Sequence, residues 1–269
     1  MIRPWMFVVV PLLLAGGVAW WSLQHDTAGP PVPARPAPSA PAPAASAAQA
    51  AAAPAAEVPV PAPAQPLQAA DLPGALEALL GRQGVASFLR ADDFARRLVA
   101  TVDNLGRAHA PSSLWPVAAT PGRFGVDESG GSTVAALDNA ARYTPWVQWV
   151  ERVDAAKAVA LYRRMYPLLQ AQYQQLGYPG RQFQGRLLEV IGLLLDTPEP
   201  AQPPTLQLLQ FTGEVASQRP WVHYEFTDPA LEALPAGQKI LLRVGLVNER
   251  RLKKKLAEFR DALRTPPVN

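Results

Sequence analysis

The stretch Asp154-Ala-Ala-Lys-Ala-Val-Ala-Leu-Tyr-Arg-Arg-Met-Tyr-Pro-Leu-Leu-Gln-Ala-Gln-Tyr-Gln-Gln-Leu176 decides the fold class. Its apolar positions Tyr162, Met165, Tyr166, Leu169, Tyr173 and Leu176 recur at the spacing of one helix face. Asp154 stands where a helix cap belongs, and Gly177-Tyr-Pro-Gly180 ends the run as a turn. Pro167 lies inside the pattern and removes a backbone donor, so a kink or break is expected near Arg163 to Tyr166.

The same period extends in both directions. Asp71 caps a short helix with Leu76, Leu79 and Leu80, ended by Gly81. Asp92 is expected to cap the next, whose stripe is Phe94, Leu98, Val102 and Leu105, with Gly106 as the residue just past its end. His109 to Thr133 is rich in Pro, Gly and Ser and reads as an irregular connection, with Arg123-Phe-Gly-Val126 a short strand within it. Tyr143 to Val153 reads as an aromatic helix containing Trp146, Trp149 and Val150. Downstream of Gly180, a helix carries Phe183, Leu187, Val190, Ile191 and Leu194 and stops before Thr197-Pro198. Little pattern follows from Pro200 to Pro220. Val222, Tyr224 and Phe226 then alternate with His223 and Glu225 as one extended edge, and Asp228-Pro229 opens a short helix. A last helix is expected from about Gly237 to Leu263, burying Leu252, Leu256, Phe259 and Leu263. The expected fold is mainly α: one multi-helix globular domain over 67–269 with at most a minor β element.

Ahead of that domain the composition changes twice. Trp5 to Leu23 contains no charge, and at about 1.5 Å per helical residue it crosses a hydrocarbon layer of roughly 30 Å. Trp5, Trp20 and Trp21 lie at its ends, where indoles favour the headgroup interface. Arg3 precedes the run while His25 and Asp26 follow it, so the positive-inside rule leaves residues 1–4 in the cytoplasm and the rest outside. A cleaved signal peptide fits less well. Trp20-Trp21 closes the run, and Asp26-Thr27-Ala28 places an acid where a small residue is needed. From 24 to 66 the chain is largely Pro and Ala, a disordered, extended tether by composition. The expectation is a single-pass inner-membrane protein with a periplasmic domain.

Composition excludes several chemistries. There is no cysteine, hence no disulfide, thiol nucleophile or thiolate metal site. A formal net charge of +3 is too small to argue for nucleic acid. The sequence lacks GxSxG, HExxH, GxxxxGK[ST] and GxGxxG patterns. His109 and His223 are the domain's histidines, and neither sits in a catalytic context, so no cofactor or metal is expected. Glycan-cleaving enzymes need two flanking acids. Glu189, with Asp103, Glu151 or Glu225 as partner, is the catalytic candidate, and each acid reads equally as part of a solvated helix face.

Two groups are candidates for binding. Arg250, Arg251, Lys253, Lys254 and Lys255 form the sharpest cationic cluster, expected on the face opposite Leu252, Leu256 and Phe259 and suited to an anionic surface such as lipid headgroups or acidic wall polymer. The plain alternative is a solvated face near a helix C-terminus. Tyr162, Arg163, Arg164 and Tyr166 beside Pro167, with Asp103 and Asn104, form a second candidate corner.

Several blocks resemble a known family. Arg96-Arg-Leu-Val-Ala-Thr-Val-Asp-Asn-Leu105, Leu161-Tyr-Arg-Arg-Met-Tyr-Pro167, Leu176-Gly-Tyr-Pro179 and Gly237-Gln-Lys-Ile-Leu-Leu-Arg243 are similar to the bacterial domain-of-unknown-function family numbered 3014. The resemblance spans most of Leu67 to Leu263, with Thr212 to Arg219 departing from it. It implies a Gram-negative membrane-anchored protein with no assigned activity, and it supplies no catalytic residues. The functional expectation is a non-enzymatic envelope binding or scaffold protein whose partner is an envelope protein or wall polymer. An envelope hydrolase with paired carboxylates is the alternative, and a basic last helix that returns to the bilayer is a third reading.

Overall fold

The structure, a computed structural model, describes residues 63, 65–209 and 222–265. The expected membrane segment at 5–23, nearly all of the tether and the divergent Thr212 to Arg219 block lie outside the described residues. Among the described residues no helix is long and apolar enough to cross a membrane.

The described chain is mainly helical, with four short strands. In order, the helices are α1 (Leu72–Leu80), α2 (Arg82–Phe88), α3 (Phe94–Leu105), α4 (Leu137–Glu151), α5 (Ala155–Gln175), α6 (Phe183–Leu195), α7 (Pro229–Glu232), α8 (Ala236–Arg243) and α9 (Leu246–Arg264). The strands form two antiparallel ladders. β1 (Val126–Asp127) pairs with β2 (Val134–Ala135), and β3 (Leu206–Leu208) pairs with β4 (Tyr224–Phe226), Leu206 facing Phe226. An isolated bridge from Val134 to Thr205 links them. β3 falls in the stretch that carries no periodic signal.

Helices α3 and α9 each pack on both α5 and α6, and α4 packs on α9. The main core runs through this group, with Val99, Val147, Leu169 and Phe183 fully buried. A smaller core joins Leu206, Phe226 and Leu242 under the ladders.

Local rules explain most boundaries. The Asp154 carboxylate accepts from the Lys157 N–H at 2.9 Å, and Asp228 caps α7 the same way through Ala230 at 2.8 Å. Other expectations need correction. The residue before α3 is Asp93, in left-handed backbone at φ 51°, while Asp92 instead binds Arg97. Gly106 follows α3 with φ −83°, so it is not a left-handed terminator; its missing Cβ makes room for the Arg186 guanidinium, 2.7 Å from where that carbon would lie. Helix α4 begins six residues before Tyr143 because the buried Asn139 ties its first turn to Gly125.

Pro167 does not break α5, which runs unbroken from Ala155 to Gln175. Met165 and Leu169 are buried on either side of it, and the incoming Leu67 N–H donates to the Arg164 carbonyl at 2.9 Å. Packing on both sides holds the helix through the proline, which leaves the Arg163 carbonyl without its usual donor, and Leu67 adds a tie at the next carbonyl.

The expected last helix is two helices. Gly245 turns the chain between α8 and α9 at φ 87°, ψ 144°, backbone that only glycine adopts readily. A Cβ there would lie 2.9 Å from the Ala140 Cβ, so the corner also permits close approach to α4. Asn248 then fastens α9 by donating to the Ala140 carbonyl at 2.7 Å. Gly245→Ala is therefore expected to lower stability by about 2 kcal/mol, a fall of roughly 4–8 °C in Tm for a domain of this size, read by circular dichroism melting.

Candidate functional site

The apolar stripes of α3 and α9 face the same interior, but they do not close on one another. Of Phe94, Leu98, Val102, Leu105, Leu252, Leu256, Phe259 and Leu263, Val102 and Leu252 are buried and the others are half-buried. They line two adjoining chambers, of about 420 and 290 Å³. Leu105, Trp146, Val150, Leu194, Leu256 and Phe259 line both. The larger chamber continues towards α1 and α5, past Leu79 and Tyr162; the smaller ends against α8 at Gly237 and Ile240.

Protein interiors are normally packed to the density of organic crystals. At about 24 cal/mol per Å³, leaving the larger chamber dry and empty would cost on the order of 10 kcal/mol, comparable with the whole net stability of a domain. An opening to solvent reduces that cost without removing it. The space is thus a site in the physical sense: an apolar molecule entering it recovers contacts that the protein's own side chains do not make. Among the described residues no acid or histidine lines either chamber, and the one charged residue is Lys255, in the wall of the smaller. The Trp146 indole nitrogen is buried without a hydrogen-bond partner among the described residues.

Part of the wall comes from the long connection. Trp115, Pro116 and Val117 reach the chambers because Val117 bridges Leu89 and the Arg90 N–H donates to the Pro116 carbonyl at 2.8 Å. The apolar run Leu114-Trp-Pro-Val117 inside a polar loop is the signal for this in the sequence.

The basic run acts on these walls as a clamp. Arg250 and Lys253 converge on Glu199 at 2.8 and 2.9 Å, and Lys253 also donates to the Thr197 carbonyl at 2.6 Å. Arg251 forms a two-pronged pair with Glu151, at the end of α4. Lys255 is buried, donating to the Val153 carbonyl at 2.9 Å and to Glu258 at 2.6 Å. Arg250 and Lys254 are the exposed members. The expectation of a cationic face pointing wholly away from the apolar stripe is thus corrected at Lys255, which lies three residues after Leu252 and four before Phe259 and so flanks the stripe, its stem reaching the chamber wall.

The second candidate corner is divided. Asp103 is buried, held by Arg107 at 2.7 Å, Arg186 at 3.4 Å and the Tyr178 hydroxyl at 3.2 Å, while Tyr178 stacks on Tyr173 with centroids 4.5 Å apart. Arg186 also pairs with Glu189 at 2.8 Å, so the two acids flank one guanidinium. Asn104 donates to the Ala100 carbonyl within α3. Tyr162 lines the larger chamber, its hydroxyl bonded to Gln184 and its pKa pushed up by burial. Tyr166 bonds Gln170 at 3.0 Å. Arg163 donates to the Ala262 and Thr265 carbonyls, capping α9, and Arg164 is exposed. Arg186 and Tyr178, which organise Asp103, carry no sequence signal beyond their type. His109 is exposed, His223 half-buried, and Glu225 sits in β4. Among the described residues no group of His, Cys, Asp and Glu is arranged to hold a metal.

The clamp has a pH signature. Hydrogen bonds from Arg251 and from Arg250 hold the Glu151 and Glu199 carboxyls below the usual carboxylate range. Folded-state values that are depressed contribute stability that is complete above the unfolded carboxylate pKa and is lost as pH falls through the folded one. The Tm of the wild type is expected to fall more steeply below about pH 4 than that of the Glu151→Gln, Glu199→Gln double variant; parallel acid limbs would contradict the clamp.

No curated protein and no solved structure matches the chain. A family model described as "Protein of unknown function (DUF3014)" matches residues 94–260, from the first residue of α3 into the last turns of α9, and so includes the α3 stripe, the α9 stripe through Phe259, the basic run and the Asp103 network. The chain belongs to this family.

Proposed function

We propose that this chain is a non-enzymatic binding or scaffold protein of the bacterial cell envelope. In this reading residues 5–23 hold it in the inner membrane, 24–66 tether it, and the helical domain works in the periplasm beside an envelope protein or wall polymer. The uncharged run with tryptophans at both ends and the Pro/Ala tract support the address. The observation that carries the binding role is the hollow apolar core, which offers a ligand contact area lined, among the described residues, by no acid or histidine. The clamp fits a binding protein too, because it fixes α9 at its polar face and leaves the apolar face free for the ligand.

Two measurements test this reading. Solvent extraction of the purified full chain, followed by mass spectrometry, is expected to release an apolar molecule in near-stoichiometric amount. A chain that comes out empty from several expression conditions contradicts the binding role. A periplasm-dependent reporter fused after Asn269 is expected to be active; activity of a cytoplasm-dependent one alone contradicts the address.

A further inference from the structure

The strap between α3 and α4 closes the chambers from one side. Trp115 lines the smaller chamber, and Pro116 and Val117 line both. Among the described residues this is the only run of consecutive wall residues outside a helix; Leu89, Val153 and Val244 contribute singly. Pro111, Ser112 and Ser113, just before it, are exposed, so the strap passes along the surface.

Its two ends are fixed and its middle is latched. At one end the Ala236 N–H donates to the Arg107 carbonyl at 2.7 Å. At the other the Arg142 guanidinium donates to the carbonyls of Pro121 and Gly122, at 2.9 and 3.1 Å. Between them the latches lie on a single side, that of α2 and α3. Arg97 donates to the Ser113 carbonyl at 2.7 Å and Thr101 to the Leu114 carbonyl at 3.2 Å. The Arg90 N–H donates to the Pro116 carbonyl and the Ala118 N–H to the Phe88 carbonyl, at 2.8 and 2.9 Å. No such bond faces the other way. Among the described residues none joins 110–118 to α4, α8 or α9, and Trp115 spends its indole N–H within the strap, on the Ala110 carbonyl at 3.2 Å. Moving α9 instead would break its pairs with Glu151 and Glu199 together with the Arg163 contact. Surface segments held by a few hydrogen bonds open locally far more readily than packed helices. We propose that 110–118 is the gate of the chambers: its middle lifts off α2 and α3 between fixed ends, and an apolar molecule enters and leaves beneath it. This rests on reading the core as a ligand site and adds the route into it.

The bridge between Leu89 and Val117 supplies a lock. Its two hydrogen bonds flank the pair instead of joining it. In that arrangement facing antiparallel residues stand closest, with Cα atoms about 4.5 Å apart, within reach of a disulfide. The chain has no cysteine, so the double variant Leu89→Cys, Val117→Cys introduces one defined bond.

Flash photolabelling of the full chain in phosphatidylcholine nanodiscs tests the gate. The probe is phenyl(trifluoromethyl)diazirine, flashed at increasing delays after mixing, and mass spectrometry counts label only in peptides around Val150 and Leu256, so probe dissolved in lipid does not contribute. The oxidised double variant is expected to fill about tenfold more slowly than the same protein after reduction, and to reach equal labelling at long delay. Arg97→Gln, which frees the Ser113 carbonyl, is expected to fill about tenfold faster than wild type, the loss of one charge-assisted hydrogen bond. Equal rates for the oxidised and reduced forms overturn the gate and leave the binding role standing. Absence of label from those peptides in every form and at every delay overturns the ligand site, and the gate with it. Amide exchange reads the wild type independently of any variant. The Ala118 and Arg90 N–H groups are expected to be at least about tenfold less protected than that of Leu252 in α9; protection equal to that of Leu252 overturns the gate.

Discussion

Helix α9 is seated by charge at its polar face, and its apolar face, buried in the core at Leu252, does not close on the stripe of α3. Everything distinctive in the domain depends on that division. Glu151 at the end of α4 and Glu199 beyond α6 fix Arg251, Arg250 and Lys253, and the Val153 carbonyl fixes Lys255. Exposed ion pairs contribute little singly, but here several act on one rigid helix, and Lys253 and Lys255 are largely buried. The helix is held at a distance set by these contacts instead of collapsing until Leu256 and Phe259 meet α3. The gap between the stripes is the result.

The corner at Gly245 sets where α9 lies: it ends α8 and brings Asn248 onto Ala140. Within α9 helical spacing places Lys255 three residues after Leu252 and four before Phe259, flanking the apolar stripe, while Arg250 and Lys254 lie on the outer face. A second restraint at the far end, from the Arg163 guanidinium to the last carbonyls of α9, joins that helix to α5. Both ends of the wall are thereby defined by α4 and α5, the elements that also carry Trp146, Val150 and Tyr162 into the chambers.

The sequence made the helices legible and the site much less so. Periodicity finds α1, α3, α5, α6 and the stripe of α9 because the same residues face inwards whether they meet a neighbour or a void. For that reason it cannot distinguish a packed core from a hollow one, and Leu256 and Phe259 read as buried when they line a chamber. Pro167 was overridden by the packing of Met165 and Leu169. A lone glycine such as Gly245 is tolerated inside many helical patterns, so the α8–α9 corner left no clear mark. Arg186, Tyr178 and Glu199 acquire their roles from residues far away in the chain, which spacing does not reveal. Lys255 was visible as one of five cations, and its spacing of three from Leu252 and four from Phe259 already set it apart from the outer face.

Membership of a family described as of unknown function leaves chemistry to the residues themselves, and the binding role proposed for the domain rests on the open space between α3 and α9. Xenon uptake tests that most directly, because xenon enters apolar cavities with no requirement for a particular head group. On the full chain, methyl resonances of Leu105, Val150, Leu194 and Leu256 are expected to shift together and saturably under xenon pressure, while buried methyls away from the chambers, such as Val99, stay in place. Absence of a saturable shift at those four residues in ligand-free protein would show that α3 and α9 close on each other, and would contradict the hollow core.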